Sequence, residues 1–115
     1  MNLLMRIIVT SIVAFGLSYL LQGIKFDSFW TAILVAIVLA ILNAIVKPIL
    51  ILITLPITLV TLGLFLFVIN ALIILLAAKL VNGFSVDGFW WALLFSLLLS
   101  LLTSLLYKEK KEKTT

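Results

Sequence analysis

The chain is a succession of long apolar runs separated by short polar breaks. The runs extend from about Leu3 to Leu21, from near Trp30 to about Val46, from about Ile57 to Leu80 and from about Trp90 to Tyr107. A helix rises 1.5 Å per residue, so about 20 apolar residues cross a hydrocarbon core roughly 30 Å thick. Four spans fit. Inside lipid only helices or a closed barrel satisfy every backbone amide, and the unbroken runs lack the alternation of barrel strands. The pattern therefore predicts an all-α polytopic membrane protein. The first run, after Arg6, has the look of a secretion signal. It continues to Leu21 with no small-x-small cleavage site before Gln22–Gly23, so it is expected to remain as the first span.

The breaks reveal a second order of pattern. Residues 23–47 reappear, shifted by 60, as residues 83–107, with eight of 25 positions identical, among them the linked G-x-x-x-D-x-F-W-x-A. This predicts two tandem helical hairpins: repeat one over 1–47, a kinked or interfacial connector over 48–56, and repeat two over 57–107. Each repeat holds two spans, so the copies would share one orientation about an axis along the membrane normal. Ala32, Ala36, Ala40 and Ala44 lie at four-residue spacing, and their shifted counterparts are Ala92, Ser96, Ser100 and Ser104. That spacing keeps each set on one helix face, where small side chains allow close approach of backbones. The second and fourth helices are expected to cross along these stripes, within one chain or between chains, or to line a pore with them.

Prolines bound the connector. Lys47–Pro48 should end or kink the second helix, because proline lacks the amide donor and disfavours helix in the residue before it. Either the helix continues through the kink to Leu55, or residues 49–55 form an interfacial or re-entrant turn. Pro56 and Gly63 are further kink positions. Thr54, Thr58 and Thr61 follow the kink and either line a polar groove or return hydrogen bonds to freed carbonyls.

Composition narrows the function. Hydrophobic residues make up 66% of the chain and charged residues 10%, against roughly 25% charged in soluble domains. Cysteine and histidine are absent, which removes disulfides, thiolate nucleophiles, imidazole bases and the usual zinc or haem ligands. No phosphate loop, catalytic carboxylate pair or nucleic-acid motif is present. The chain reads as non-enzymatic, with no cofactor, no metal and no nucleic-acid partner. Its net charge is +4, half of it in the basic tail, 108–115, where four lysines stand against two glutamates. Arg6, Lys47 and the tail lysines fall on one side of a four-span arrangement, against Lys25 and Lys79. The excess of cations predicts that both termini are cytoplasmic.

Three polar residues fall within or beside the spans. Asn43 and Lys47 are four apart and share a face, and Asn70 lies deep in the third run. Such residues either serve function or hydrogen-bond across helices, and a lysine at a helix end can snorkel to the interface. In the outer breaks, Asp27 and Asp87 either cap the helices that follow or bind a cation or basic partner. Trp30 and Trp90 would sit at the headgroup level.

The stretch L-N-A-I-V-K-P-I-L-I-L-I-T-L-P-I-T-L-V-T-L-G-L-F-L-F-V-I-N-A, residues 42–71, with the following N-G-F-x-V-x-G-F-W, resembles the bacterial four-span membrane proteins of phage holin superfamily IV, the YvlD-like family. The positions that carry the resemblance are Asn43, Lys47, Pro48, Pro56, Thr61, Gly63, Asn70, Gly83 and Gly88. It implies a multi-pass protein of the bacterial cytoplasmic membrane, without an established catalytic or ligand-binding role, and participation in envelope-stress systems. A holin asks for a water-tolerant face that oligomerisation exposes, and here the serine stripe is the only one. The expected function is a membrane scaffold or partner of another membrane protein. The alternative is a holin-like homo-oligomeric pore, and a small channel or transporter is a more distant one.

Overall fold

A computed structural model describes the backbone of residues 2–113 and the side chains of residues 2–106. The helices are α1 (Leu3–Leu20), α2 (Phe29–Ile53), α3 (Leu55–Val60), α4 (Phe65–Leu80) and α5 (Phe89–Lys113), and two short strands lie between them, β1 (Ile24–Phe26) and β2 (Phe84–Val86). The tail lysines fall outside the residues whose side chains are described. α1, α2 and α5 are long and apolar enough to cross a membrane. α4 is shorter, with 16 residues, or about 24 Å.

The all-α expectation needs one correction. Both polar breaks contain a strand, and the strands pair antiparallel with Ile24 opposite Val86, Lys25 opposite Ser85 and Phe26 opposite Phe84. I-K-F and F-S-V each alternate apolar and polar residues, so each strand turns two side chains inward and its middle one to water. Reciprocal hydrogen bonds extend the ladder, from Asp27 N to Gly83 O and from Asp87 N to Gly23 O, both 2.9 Å.

The four long helices form a ring. α1 packs against α2 and α5, and α4 packs against the same two helices. α2 and α5 therefore stand on a diagonal, with no Cα pair within 8 Å. The expected crossing of the second and fourth helices is thus not made within the chain; each packs instead against α1 and α4. The core is apolar and built from small and branched side chains, with Ala32, Ala77 and Ala92 fully buried beside Val35, Ile69 and Phe95. Alanine at these points lets helix axes approach closely, which favours dispersion contacts in a solvent that supplies little hydrophobic drive.

The middle of the chain differs from the expected spans in two ways. α2 does not end at Val46 but runs through Pro48 to Ile53, the helix-extension form of the connector. Pro48 removes the amide partner of the Ala44 carbonyl, and Ala44 lies on the wall of a polar cavity. The third run is not one helix from Ile57 to Leu80. It breaks over Thr61–Leu64 because Leu62 takes a left-handed conformation (φ 57°). Leu62 N donates to Leu59 O at 3.2 Å and Gly63 N to Thr58 O at 2.8 Å, the paired bonds of a Schellman terminus. The Thr61 hydroxyl donates to Ile57 O (3.0 Å) and accepts from Phe65 N (3.2 Å), linking the end of α3 to the start of α4.

A polar cavity at the end opposite the strand pair

The strands close one end of the bundle. Phe26 and Phe84 stack with centroids 4.7 Å apart, and Phe95, fully buried, lies 6.4 Å and 6.1 Å from them. Trp91 covers Gly23, whose Cα approaches the indole so closely that a Cβ there would fall 2.2 Å from Cγ. Gly83 (φ 94°) has the Asp27 carboxylate over it, where a Cβ would meet Oδ2 at 2.7 Å. Asp27 and Asp87 themselves are exposed. Asp27 does not cap α2. The cap is Ser28, whose hydroxyl accepts from Thr31 N at 3.4 Å. α5 begins after Gly88, which offers no side chain to cap it. Trp30 and Trp90, in the first turns of α2 and α5, are both 77% exposed.

At the opposite end the bundle opens. A cavity of about 520 Å³ lies between the first half of α1 and the middle turns of α2 and α5, with no side chain from α4 in its wall. Arg6 and Thr10 come from α1, one turn apart on a single face. α2 supplies Ala36, Ala40, Asn43 and Ala44, and α5 supplies Ser100, Thr103 and Ser104. Leu39 and Leu99 are buried in its floor. Positions 60 apart thus meet across one space: Leu39 with Leu99, Ala40 with Ser100, Asn43 with Thr103, Ala44 with Ser104. The small-residue stripes divide by depth. Ala32, Ala36, Ala92 and Ser96 are buried, whereas Ala44, Ser100 and Ser104 are exposed.

The hydroxyls of Ser96 and Thr103, buried in α5, are committed. Ser96 donates to Leu93 O at 2.9 Å and Thr103 to Leu99 O at 2.7 Å, which removes the cost of an unpaired donor in an apolar surround. Thr54 likewise donates to Leu50 O at 2.7 Å. Thr58, buried in α3, has a hydroxyl without a hydrogen-bond partner among the described residues. Asn43, Ser100 and Ser104 make no side-chain hydrogen bond to another described residue, and neither does Asn70.

Asn43 also borders an adjoining groove of about 460 Å³ lined by Lys47, Pro48 and Leu55. The structure thus brings Asn43 together with the inner ends of both stripes and sets Lys47 beside them. Asn70, half-buried in α4, and Pro56 and Gly63, in α3 and the turn after it, stand apart from the cavity. Arg6, Thr10 and Thr103 were not singled out from the sequence as members of a site. The four-residue spacing of Arg6 and Thr10, and the correspondence of Thr103 with Asn43, are the signals that place them. Among the described residues no three histidine, cysteine, aspartate or glutamate side chains group closely enough to hold a metal ion.

No solved structure matches the chain. The chain is 40% identical over 103 residues to the uncharacterised membrane protein YvlD of Bacillus subtilis, covering 89% of this chain and 87% of that one. It is 47% identical over 77 residues to the uncharacterised protein SCO3922 of Streptomyces coelicolor, covering 64% of this chain and 62% of that one. The family described as mycobacterial 4 TMS phage holin, superfamily IV, matches residues 1–105. With four apolar helices in a ring and a match along nearly its whole length, the chain belongs to the superfamily IV holin family of membrane proteins.

Proposed function

We propose that this protein is a non-enzymatic membrane scaffold, made of two tandem hairpins and closed to ions as a single chain. The observation that carries the reading is the seal at the strand end. Phe26, Phe84 and Phe95 cluster beneath the paired strands and none of them lines the polar cavity, whose wall includes the buried Leu39 and Leu99, so apolar side chains stand between the cavity and the strand end. A charged solute would have to cross that apolar layer without polar partners, which costs several kcal/mol or more. The tandem-hairpin reading is supported by the reciprocal bonds of Asp27 and Asp87 and by equal burial at positions 60 apart, such as Ala32 with Ala92 and Ala36 with Ser96. The cation count favours placing the open end, with Arg6 and Lys47, and both termini on the cytoplasmic side. Asp27, Asp87 and the exposed tryptophans would then form an outer surface for another membrane component, and Asp27→Asn with Asp87→Asn should weaken that partner's recovery from detergent extracts.

The test is membrane potential followed during graded expression, beside an insertion-competent control of equal hydrophobicity. The scaffold reading expects unchanged potential at high abundance, and abrupt depolarisation at a threshold level would overturn it.

One observation favours an oligomeric pore as the second reading: Ala44, Ser100 and Ser104 are exposed, so the inner ends of the stripes are not used up by packing within the chain. Ser100→Leu with Ser104→Leu separates the two. A pore would lose conductance with insertion intact, whereas a scaffold has no conductance to lose.

A further inference from the structure

We propose that the cavity at the open end is a binding site for the phosphate group of an anionic phospholipid. Its wall is rich in donors and carries no acidic side chain among the described residues. Arg6, Asn43, Ser100 and Ser104 all line it, and the last three have no hydrogen-bond partner among the described residues. Hydrogen-bonding capacity left open in one concave space is satisfied by a ligand or by water, and the sign of the Arg6 charge selects an anion. A guanidinium presents a planar fork of N–H donors that matches the oxygens of a phosphate. Lys47, beside Asn43 in the adjoining groove, adds a second cation near the mouth. At about 520 Å³ the space lies within the roughly 300–1,000 Å³ of small-molecule sites.

The other half of the wall argues for a lipid rather than a soluble anion. Below the polar groups lie Leu39 and Leu99, with Ile7 beside them, so the ligand that fills the cavity has a phosphate at one end and hydrocarbon at the other. The wall extends along α2 from Ala36 to Ala44, about 12 Å. Here α2 and α5 stand apart and α4 contributes nothing to the wall, so the gap between them admits a ligand from the surrounding leaflet. The site is independent of whether the chain conducts, since lipid retention is read on the isolated chain and involves no flux.

The experiment uses the full chain, purified and delipidated in a mild detergent, with bound lipid counted by native mass spectrometry. The probes are phosphatidylglycerol, a diacylglycerol with the same acyl chains but no phosphate, and inorganic phosphate as competitor. One phosphatidylglycerol per chain is expected, retained at concentrations at least about tenfold below those needed for the diacylglycerol. Arg6→Gln should weaken retention about tenfold or more, as expected for loss of a charge-assisted pair, and Arg6→Lys should restore part of it. Because Arg6 also bears on membrane orientation, the Ser100→Val/Ser104→Val variant, which keeps every charge, provides an independent arm and should weaken retention severalfold with unfolding unchanged. Equal retention of phosphatidylglycerol and diacylglycerol would overturn the proposal, as would unchanged retention in the serine variant. Displacement of the lipid by inorganic phosphate at equal concentration would assign the site to a soluble anion and overturn the lipid source.

Discussion

Replacing Gly23 with alanine adds one methyl group at the most crowded point of the strand end. The new Cβ would lie 2.2–2.4 Å from Cγ, Cδ2 and Cδ1 of Trp91, where carbon atoms rest about 3.5–4.0 Å apart. These atoms sit at the root of the indole, next to its own Cβ, so rotating the far end of the ring does not relieve the clash. Either Trp91 changes rotamer or the first turn of α5 retreats by more than an ångström. Overpacking of this kind costs about 1–3 kcal/mol, and the position of the clash points to the upper half of that range. Position 31, the shifted counterpart of Trp91, is threonine, which suggests the second variant. In a Trp91→Thr background the ring is gone, and Gly23→Ala should then cost less than about 0.5 kcal/mol. The double-mutant cycle should give a coupling of about −2 kcal/mol. Denaturant unfolding in mixed micelles reads all four stabilities. Equal penalties for Gly23→Ala in both backgrounds would refute the reasoning, because they would mean that the indole is not what fills the space over Gly23.

Other substitutions test separate parts of the account. Phe95→Ala removes a fully buried ring and should cost about 3–5 kcal/mol in the same unfolding assay. Ser28→Ala should cost about 0.5–2 kcal/mol through the lost cap of α2, with Asp27→Asn closer to neutral; the reverse order would return the cap to Asp27. Leu62 is 92% exposed and left-handed, so Leu62→Gly relieves roughly 1 kcal/mol of backbone strain and should leave stability unchanged or raise it. Thr61→Val should lower stability by about 1 kcal/mol, since it removes the acceptor for Phe65 N and leaves that amide open.

The apolar runs made the helices legible, and where the expected boundaries failed the reasons are local. Period-2 alternation is present in I-K-F and F-S-V, yet three residues are too few to distinguish a strand from a loop, and only pairing with the other break defines it. The extension of α2 through Pro48 is one of two outcomes the proline allows, since it permits either a kink or a continuation. The break after α3 is set by two successive residues at positive φ, Leu62 and then Gly63 (φ 89°), whereas sequence reasoning looks for glycine at the first of them. The stripes were visible from four-residue spacing, but not that α2 and α5 each pack against α1 and α4 instead of each other. That arrangement turns the inner ends of the stripes into the walls of a cavity, and it brings in Arg6, which the sequence offered only as an orientation signal.

The central claim is that a single chain is sealed at its strand end. The most direct measurement is ion flux through liposomes reconstituted at a mean of less than one chain per vesicle, and again at many chains per vesicle, with insertion verified in both. The account predicts no flux above protein-free liposomes at either loading. Flux that scales linearly with the number of chains, already present at one per vesicle, would contradict the seal formed by Phe26, Phe84 and Phe95. Flux that appears only at high loading would contradict the scaffold reading in favour of an oligomeric pore.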